Sequence, residues 1–191
     1  MAQQIEDGTG TGNRAKVENN RLHTEALTLG NFESAVLNGN AYNVNTELLS
    51  ITTDTEHALL YLKNNEDNDI VIESWFIGTD VGTNGANLGI IKAYFEPTGG
   101  TIISGGTTTT VVNRKGGDSK TAQVDCLKGG QGFTATGVGT PVLYQTQSAT
   151  SRVFGNIKLA LESGKSIVIT YDPNGAETIN IYAGFQFYVT K

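Results

Sequence analysis

Cysteine occurs once in the 191 residues, at Cys126, so no disulfide forms within the chain and stability has to come from packing or association. Histidine occurs twice, at His23 and His57, too few with one cysteine for a zinc site. Charge is sparse as well, 17% of residues against about 25% in an average globular domain. What charge there is balances to -6, the wrong sign for a surface that neutralises phosphates, which excludes nucleic acid as an expected partner. No apolar run approaches the ~20 residues that cross a bilayer, so no membrane partner is expected. The N-terminal MAQQIED has neither the basic region nor the apolar core of a secretory signal, and synthesis and folding in a cytoplasm are expected.

Threonine (25), glycine (24) and asparagine (17) fill the gap, together 66 residues. Threonine is β-branched and suits strands, while glycine and asparagine tolerate the positive φ of tight turns. Residues 1–20 stand apart, with Ile5 and Val17 as the only sizeable apolar side chains after Met1. Such a segment buries too little apolar area to offset its ordering entropy, and is expected to be an extended or disordered arm, either a plain floppy terminus or one that orders on a partner. Residues 21–191 are expected to form one β-sandwich domain.

Within that domain Leu22, Leu27 and Leu29 suggest a first strand. NFESAVLNGN (31–40) predicts a helix of barely two turns, capped by Asn31, carrying Phe32, Val36 and Leu37, and stopped by Gly39. Strands are then predicted at 41–45, 47–53, 56–63, 69–78, 87–95, 101–103, 107–112 and 120–127, and in the last third at 141–147, 151–161, 165–171 and 177–189. The last third alternates most regularly: Ile157, Leu159, Leu161, then Ile167, Ile169, Tyr171, then Ile179 through Val189. Turn signals such as NNEDN, ESGK and DPNG separate the strands. The glycine-rich stretch 128–140, with Phe133 as its one large apolar residue, reads as a long loop of the kind that forms interfaces. Many short strands, almost no helix and no internal repeat predict an all-β, antiparallel sandwich of jelly-roll type.

Each chemical motif fails at a definite place. His57 lies beside Glu56, but neighbours in a strand point to opposite faces, so Glu56 is not placed to orient it. Gly164-Lys165-Ser166 resembles the end of a P-loop, yet position 159 is Leu where glycine is required, and strands rather than a helix follow; a hairpin turn is expected. Gly8, Gly10 and Gly12 alternate without a preceding strand. Glu66, Asp67 and Asp69 form an oxygen-rich loop without EF-hand spacing, read as a solvated hairpin tip; Asp172 and Asn174 belong to a turn. No catalytic, metal or cofactor site is expected, and the chain is read as a non-enzyme.

Three segments, LLYLKNNEDNDIVI (59–72), AYFEPTGGTIISGGT (93–107) and GNIKLALESGKSIVITYDPNG (155–175), follow an opening NRLHTEA…AYNVNT (20–46). This series resembles a family of virion structural proteins of tailed bacteriophages with capsid-decoration and head-fibre-like roles. The resemblance implies a sandwich that self-associates, often as a homotrimer, on the capsid surface of the virion, with the major capsid protein as partner. It implies a decoration (cement) role; the alternative is a receptor- or glycan-binding module of a head or tail fibre. Expected partner contacts are Ile5, Arg14, Lys16, Val17 and Arg21 in and beside the arm, and Phe133 in the loop.

Overall fold

A computed structural model describes residues 16–18, 21–23, 30–81, 88–95, 102–147, 152–175 and 178–190. The chain divides into two units, residues 1–30 and 31–191. In the first unit β1 (Lys16–Glu18) pairs antiparallel with β2 (Arg21–His23). Leu22 lies in β2, while Leu27 and Leu29 fall outside the described residues.

The second unit opens with α1 (Asn31–Leu37). Gly39, at φ 71°, ends it; the Gly39 and Asn40 amides donate to the Val36 and Ala35 carbonyls at 3.1 and 2.8 Å. The strands that follow are β3 (Ala41–Asn45), β4 (Leu49–Ile51), β5 (His57–Asn64), β6 (Ile70–Val81), β7 (Gly89–Phe95), β8 (Ile102–Ser104), β9 (Thr107–Thr108), β10 (Val111–Asn113), β11 (Val124–Lys128), β12 (Thr134–Thr136), β13 (Leu143–Gln147), β14 (Arg152–Leu161), β15 (Ser166–Asp172) and β16 (Ile179–Val189).

Two six-stranded antiparallel sheets result, with β8 and β12 forming a separate two-stranded one. The front sheet has the order β10-β3-β16-β6-β14, with β4 also on β16; the back sheet has the order β13-β7-β15-β5-β11-β9. Ignoring the insertion between β7 and β13, the chain changes sheet at nearly every step: β3/β4 front, β5 back, β6 front, β7 and β13 back, β14 front, β15 back, β16 front. Two four-stranded layers filled this way form a jelly roll. The turns read as hairpins from sequence are therefore corners between sheets. The corners at 65–69 and 162–165 interlock through buried Asn64, whose side-chain amide donates to the carbonyls of Asn68 and Leu161, each at 2.9 Å.

The core lies where alternation turns side chains inward from both sheets. Trp75, Ile77, Phe185 and Phe187 of the front sheet meet Leu60, Leu62, Ile91, Ile169 and Tyr171 of the back sheet, all essentially excluded from water. Each such side chain contributes roughly 1.5–3 kcal/mol relative to exposure.

The insertion between β7 and β13 wraps this sandwich. Residues 107–112, predicted as one strand, split: β9 extends the back sheet beyond β11, and β10 extends the front sheet beyond β3. The predicted loop 128–140 contains β12, which pairs with β8.

Candidate interaction surfaces

On the back sheet, inward Ile91, Ala93, Ile167 and Ile169 alternate with outward Lys92, Tyr94, Val168 and Thr170. Outward Tyr94 and Val168 are nevertheless buried, because the insertion covers them. Its anchor is Phe133, fully buried against Ala58, Tyr94 and Val168, with Ile103, Leu127 and Ala135 packed around it. This corrects the expectation that Phe133 offers a partner contact: the side chain is spent inside the domain. The surrounding glycines explain how it fits. A Cβ on Gly129 would lie 2.5 Å from the Phe133 Cβ, one on Gly106 2.6 Å from its ring, and one on Gly105 2.1 Å from the Gly132 carbonyl oxygen. A single large apolar residue among glycines is the signal of a plug, where the glycine-rich stretch reads from sequence as an interface-forming loop.

Beside the plug, Glu56 gathers the polar groups of this face. Its carboxylate accepts from Lys92 Nζ at 2.5 Å, from Thr170 Oγ1 at 2.5 Å and from Tyr94 OH at 3.0 Å. Burial pushes the Glu56 carboxyl up, but the hydrogen bonds from Lys92, Thr170 and Tyr94 outweigh it, so Glu56 titrates below the ordinary range. The hydrogen bond to Glu56 holds Lys92 up, against the opposing effect of its partial burial. Such a carboxylate stays anionic and is held by three donors, which makes it a clamp between β7, β15 and the start of β5. His57 turns the other way, as strand alternation requires: its Nε2 meets Thr53 Oγ1 at 2.6 Å and Thr55 Oγ1 at 3.1 Å. Burial lowers its pKa, against the opposing charge of Asp172.

The other sites weighed from sequence are spent on structure. Glu66 Oε1 accepts from the Gln123 amide at 2.6 Å, and Asn64 Oδ1 from the Glu66 amide at 2.9 Å. No group of three metal-ligating side chains occurs among the described residues. Gly164, at φ 78°, turns the corner between β14 and β15. Burial pushes the Cys126 thiol up to about 12, so it packs as a small apolar side chain.

The outer face of the front sheet is different: it is aromatic. Register defines it row by row. One row across the strands reads Val112, Asn43, Gln186, Ser74, Asn156. The next reads Asn45, Gly184, Phe76, Phe154, and the one after it Tyr182, Gly78, Arg152. Phe76 stands 6.1 Å from Phe154 and 6.2 Å from Tyr182, centroid to centroid. Phe76 and Tyr182 fold down over the glycines opposite them: a Cβ on Gly184 or Gly78 would lie 2.2 Å from the covering ring. At the rim, five residues from Asn45 to Leu49 face four from Gly184 to Ile181, a one-residue bulge with Glu47 at φ 59°. The bulge turns Leu48 outward, 61% exposed, into a depression shared with Asn45, Glu47, Phe76 and Tyr182. Glu47 is ion-paired with Lys128. Sequence reading placed most aromatics in the core and missed this cluster, although Phe76 sits out of phase between the core residues Trp75 and Ile77.

One flank of the sandwich is open. The back sheet ends on β13 and the front sheet on β14, and neither pairs further among the described residues. Their regular stretches, 143–147 and 152–156, each carry an exposed aromatic, Tyr144 (60%) near the start of the first and Phe154 (75%) at the centre of the second. Beyond Asn156 a bulge with Lys158 at φ 47° interrupts β14. The opposite flank is blunted by β9 and β10, two and three residues long. Of the remaining expected contacts, Ile5 and Arg14 lie outside the described residues, while Lys16 and Val17 fall in β1 and Arg21 in β2, in the other unit.

No family model and no curated protein matches the chain. Among solved structures it is similar to a mutant VP2 protein of Infectious Bursal Disease Virus in derived T=1 particles, at 12% identity and a TM-score of 0.24. That alignment covers 78% of this chain and 40% of the VP2 chain. At so low a score, the jelly-roll assignment rests on strand order and register alone.

Proposed function

We propose that this protein is a virion structural protein that works by contact: a decoration (cement) protein that binds a capsid lattice through its sandwich domain, not an enzyme. The observation that carries the reading is the open flank of β13 and β14. Two regular strand edges, unpaired among the described residues and each carrying an exposed aromatic, offer backbone hydrogen bonds and apolar area to one partner surface. With no internal disulfide, association supplies stability that the chain does not take from cross-links. The resemblance of segments 59–72, 93–107 and 155–175 to tailed-phage virion proteins supports the particle. These segments build the interlocked corners and the back-sheet centre, so they speak for the framework more than for the contact. Many weak contacts on a repeating lattice add up to avidity, and a homotrimer on the capsid surface fits that arithmetic.

The test is binding of the purified protein to capsids that lack it. Stoichiometric binding, restored tolerance to heat and low salt, and weakening of both in a Tyr144→Ala variant are expected. Capsids equally robust with and without the protein would overturn the cementing role.

A further inference from the structure

We infer that the β14 edge of the open flank takes an added strand from its partner, an extended antiparallel segment that sets an apolar residue against Phe154 and an acidic one against Arg152. The inference rests on the flank reading and specifies which edge is used and what chemistry it selects. Register shows which backbone groups are free. In an antiparallel sheet each residue turns its N–H and its C=O to the same side, and successive residues turn to opposite sides. Ala183 of β16 turns away from β6: its carbonyl accepts from the Thr46 amide at 2.9 Å and its amide donates to Thr46 Oγ1 at 2.9 Å. Its neighbours Tyr182 and Gly184 therefore turn to β6, where they meet Gly78 and Phe76. Within β6 the alternate residues, Ile77 and Trp75, turn the other way, to Val153 and Gly155 of β14. Arg152, Phe154 and Asn156 are left with N–H and C=O directed off the sheet, and no strand lies beside them among the described residues. Beyond them the bulge at Lys158 interrupts the ladder, so the usable edge is the stretch 152–156.

The side chains of the same three residues are exposed on the outer face of the sheet. A strand paired to them projects its own in-register side chains on that face, the central one beside Phe154, whose ring stands 6.1 Å from Phe76. That position favours an apolar residue. Charge selects the next one. Arg152 makes no ion pair among the described residues, whereas Lys158 lies 3.9 Å from Glu73. Opposite charges set directly across from each other stabilise a strand pair and like charges weaken it, so the residue facing Arg152 is acidic. A second copy of β14 meets this requirement in neither direction: antiparallel about Phe154 it sets Asn156 against Arg152, and parallel it sets Arg152 beside Arg152. The β13 edge, LYQTQ, has no charge with which to select a partner.

The experiment follows backbone amide exchange by NMR in the isotope-labelled full chain, with the peptide acetyl-Ser-Thr-Thr-Ile-Val-Glu-Ser-amide as probe. Antiparallel, the probe sets its Ile against Phe154 and its Glu against Arg152. In the free chain the amides of Val153 and Gly155 should exchange slowly and those of Arg152, Phe154 and Asn156 fast; the probe, at up to about 1 mM, should slow all three. N-methylation of the probe's Ile, whose amide faces β14, should abolish this protection. N-methylation of its Val, whose amide faces away, should spare it. Arg152→Glu, a change on an exposed side chain, should weaken the probe about fivefold, and a probe with Lys in place of Glu should recover the loss. Trp75 fluorescence verifies that the variant is folded. The inference is overturned if the probe protects none of the three amides, or if the two N-methylated probes act alike. It is overturned in favour of a second copy if the three amides are already slow in the free chain and sedimentation shows a dimer. Capsid binding by a chain that the probe does not protect would remove strand addition and leave the cementing role. Protection by the probe without capsid binding would remove the cementing role alone, so the two readings fail separately.

Discussion

At the scale of single residues, the side chains that look most available in the sequence are those the fold uses up. Phe133 sits in a glycine-rich stretch that reads as a display loop, yet it is fully buried and holds the insertion onto the back sheet. Its removal leaves a cavity beneath the insertion, so Phe133→Ala should destabilise by about 3–5 kcal/mol. Urea unfolding followed through Trp75, the single tryptophan and a buried one, measures this directly. Glu56 gives a pH signature. Its folded pKa lies below the unfolded one, so its contribution is present above the usual glutamate value of about 4.3 and is lost as pH falls through the lower folded value. Glu56→Gln should therefore be less stable at pH 7 and lose less stability than the parent between pH 5 and pH 3, as read from urea midpoints. An equal acid dependence in both would show that the clamp does not depend on the charge of Glu56.

At the scale of elements, the strands were legible and their partners were not. Period-two alternation marks which residues face inward, and β3, β5, β7, β14, β15 and β16 fall close to where it places them. Alternation is silent about which sheet a strand joins. That is why the turns at 65–69 and 162–165 read as hairpins and fold as corners, and why 107–112 reads as one strand and is shared between two sheets. The aromatic face was hidden for a related reason. Phe76, Phe154 and Tyr182 are far apart in sequence and meet only through the register of β14, β6 and β16. Glycines in the insertion separate strain from space. Gly105 and Gly117 have similar positive φ, 82° and 79°, but a Cβ on Gly105 meets the Gly132 backbone whereas one on Gly117 meets nothing. Both alanine substitutions should destabilise by upwards of about 1 kcal/mol, with Gly105→Ala clearly the worse in thermal melts. Equal losses would show that the β8–β12 insertion yields without cost.

At the scale of the whole molecule, function is a matter of which surfaces remain after the core and the insertion are built. The back sheet spends its outer face on the Phe133 plug and the Glu56 clamp. The front sheet keeps an aromatic face bordered by amides, and the β13/β14 flank keeps two strand edges. In the proposed cement role these open edges would be covered by neighbours on the particle. Electron microscopy of intact particles tests this most directly, by giving the copy number of the protein and the surface that meets the shell. The account predicts many copies, seated on the capsid lattice with the β13/β14 flank buried and the front face outward. Absence from the particle, or copies attached through the front face with the flank open to solvent, would contradict it.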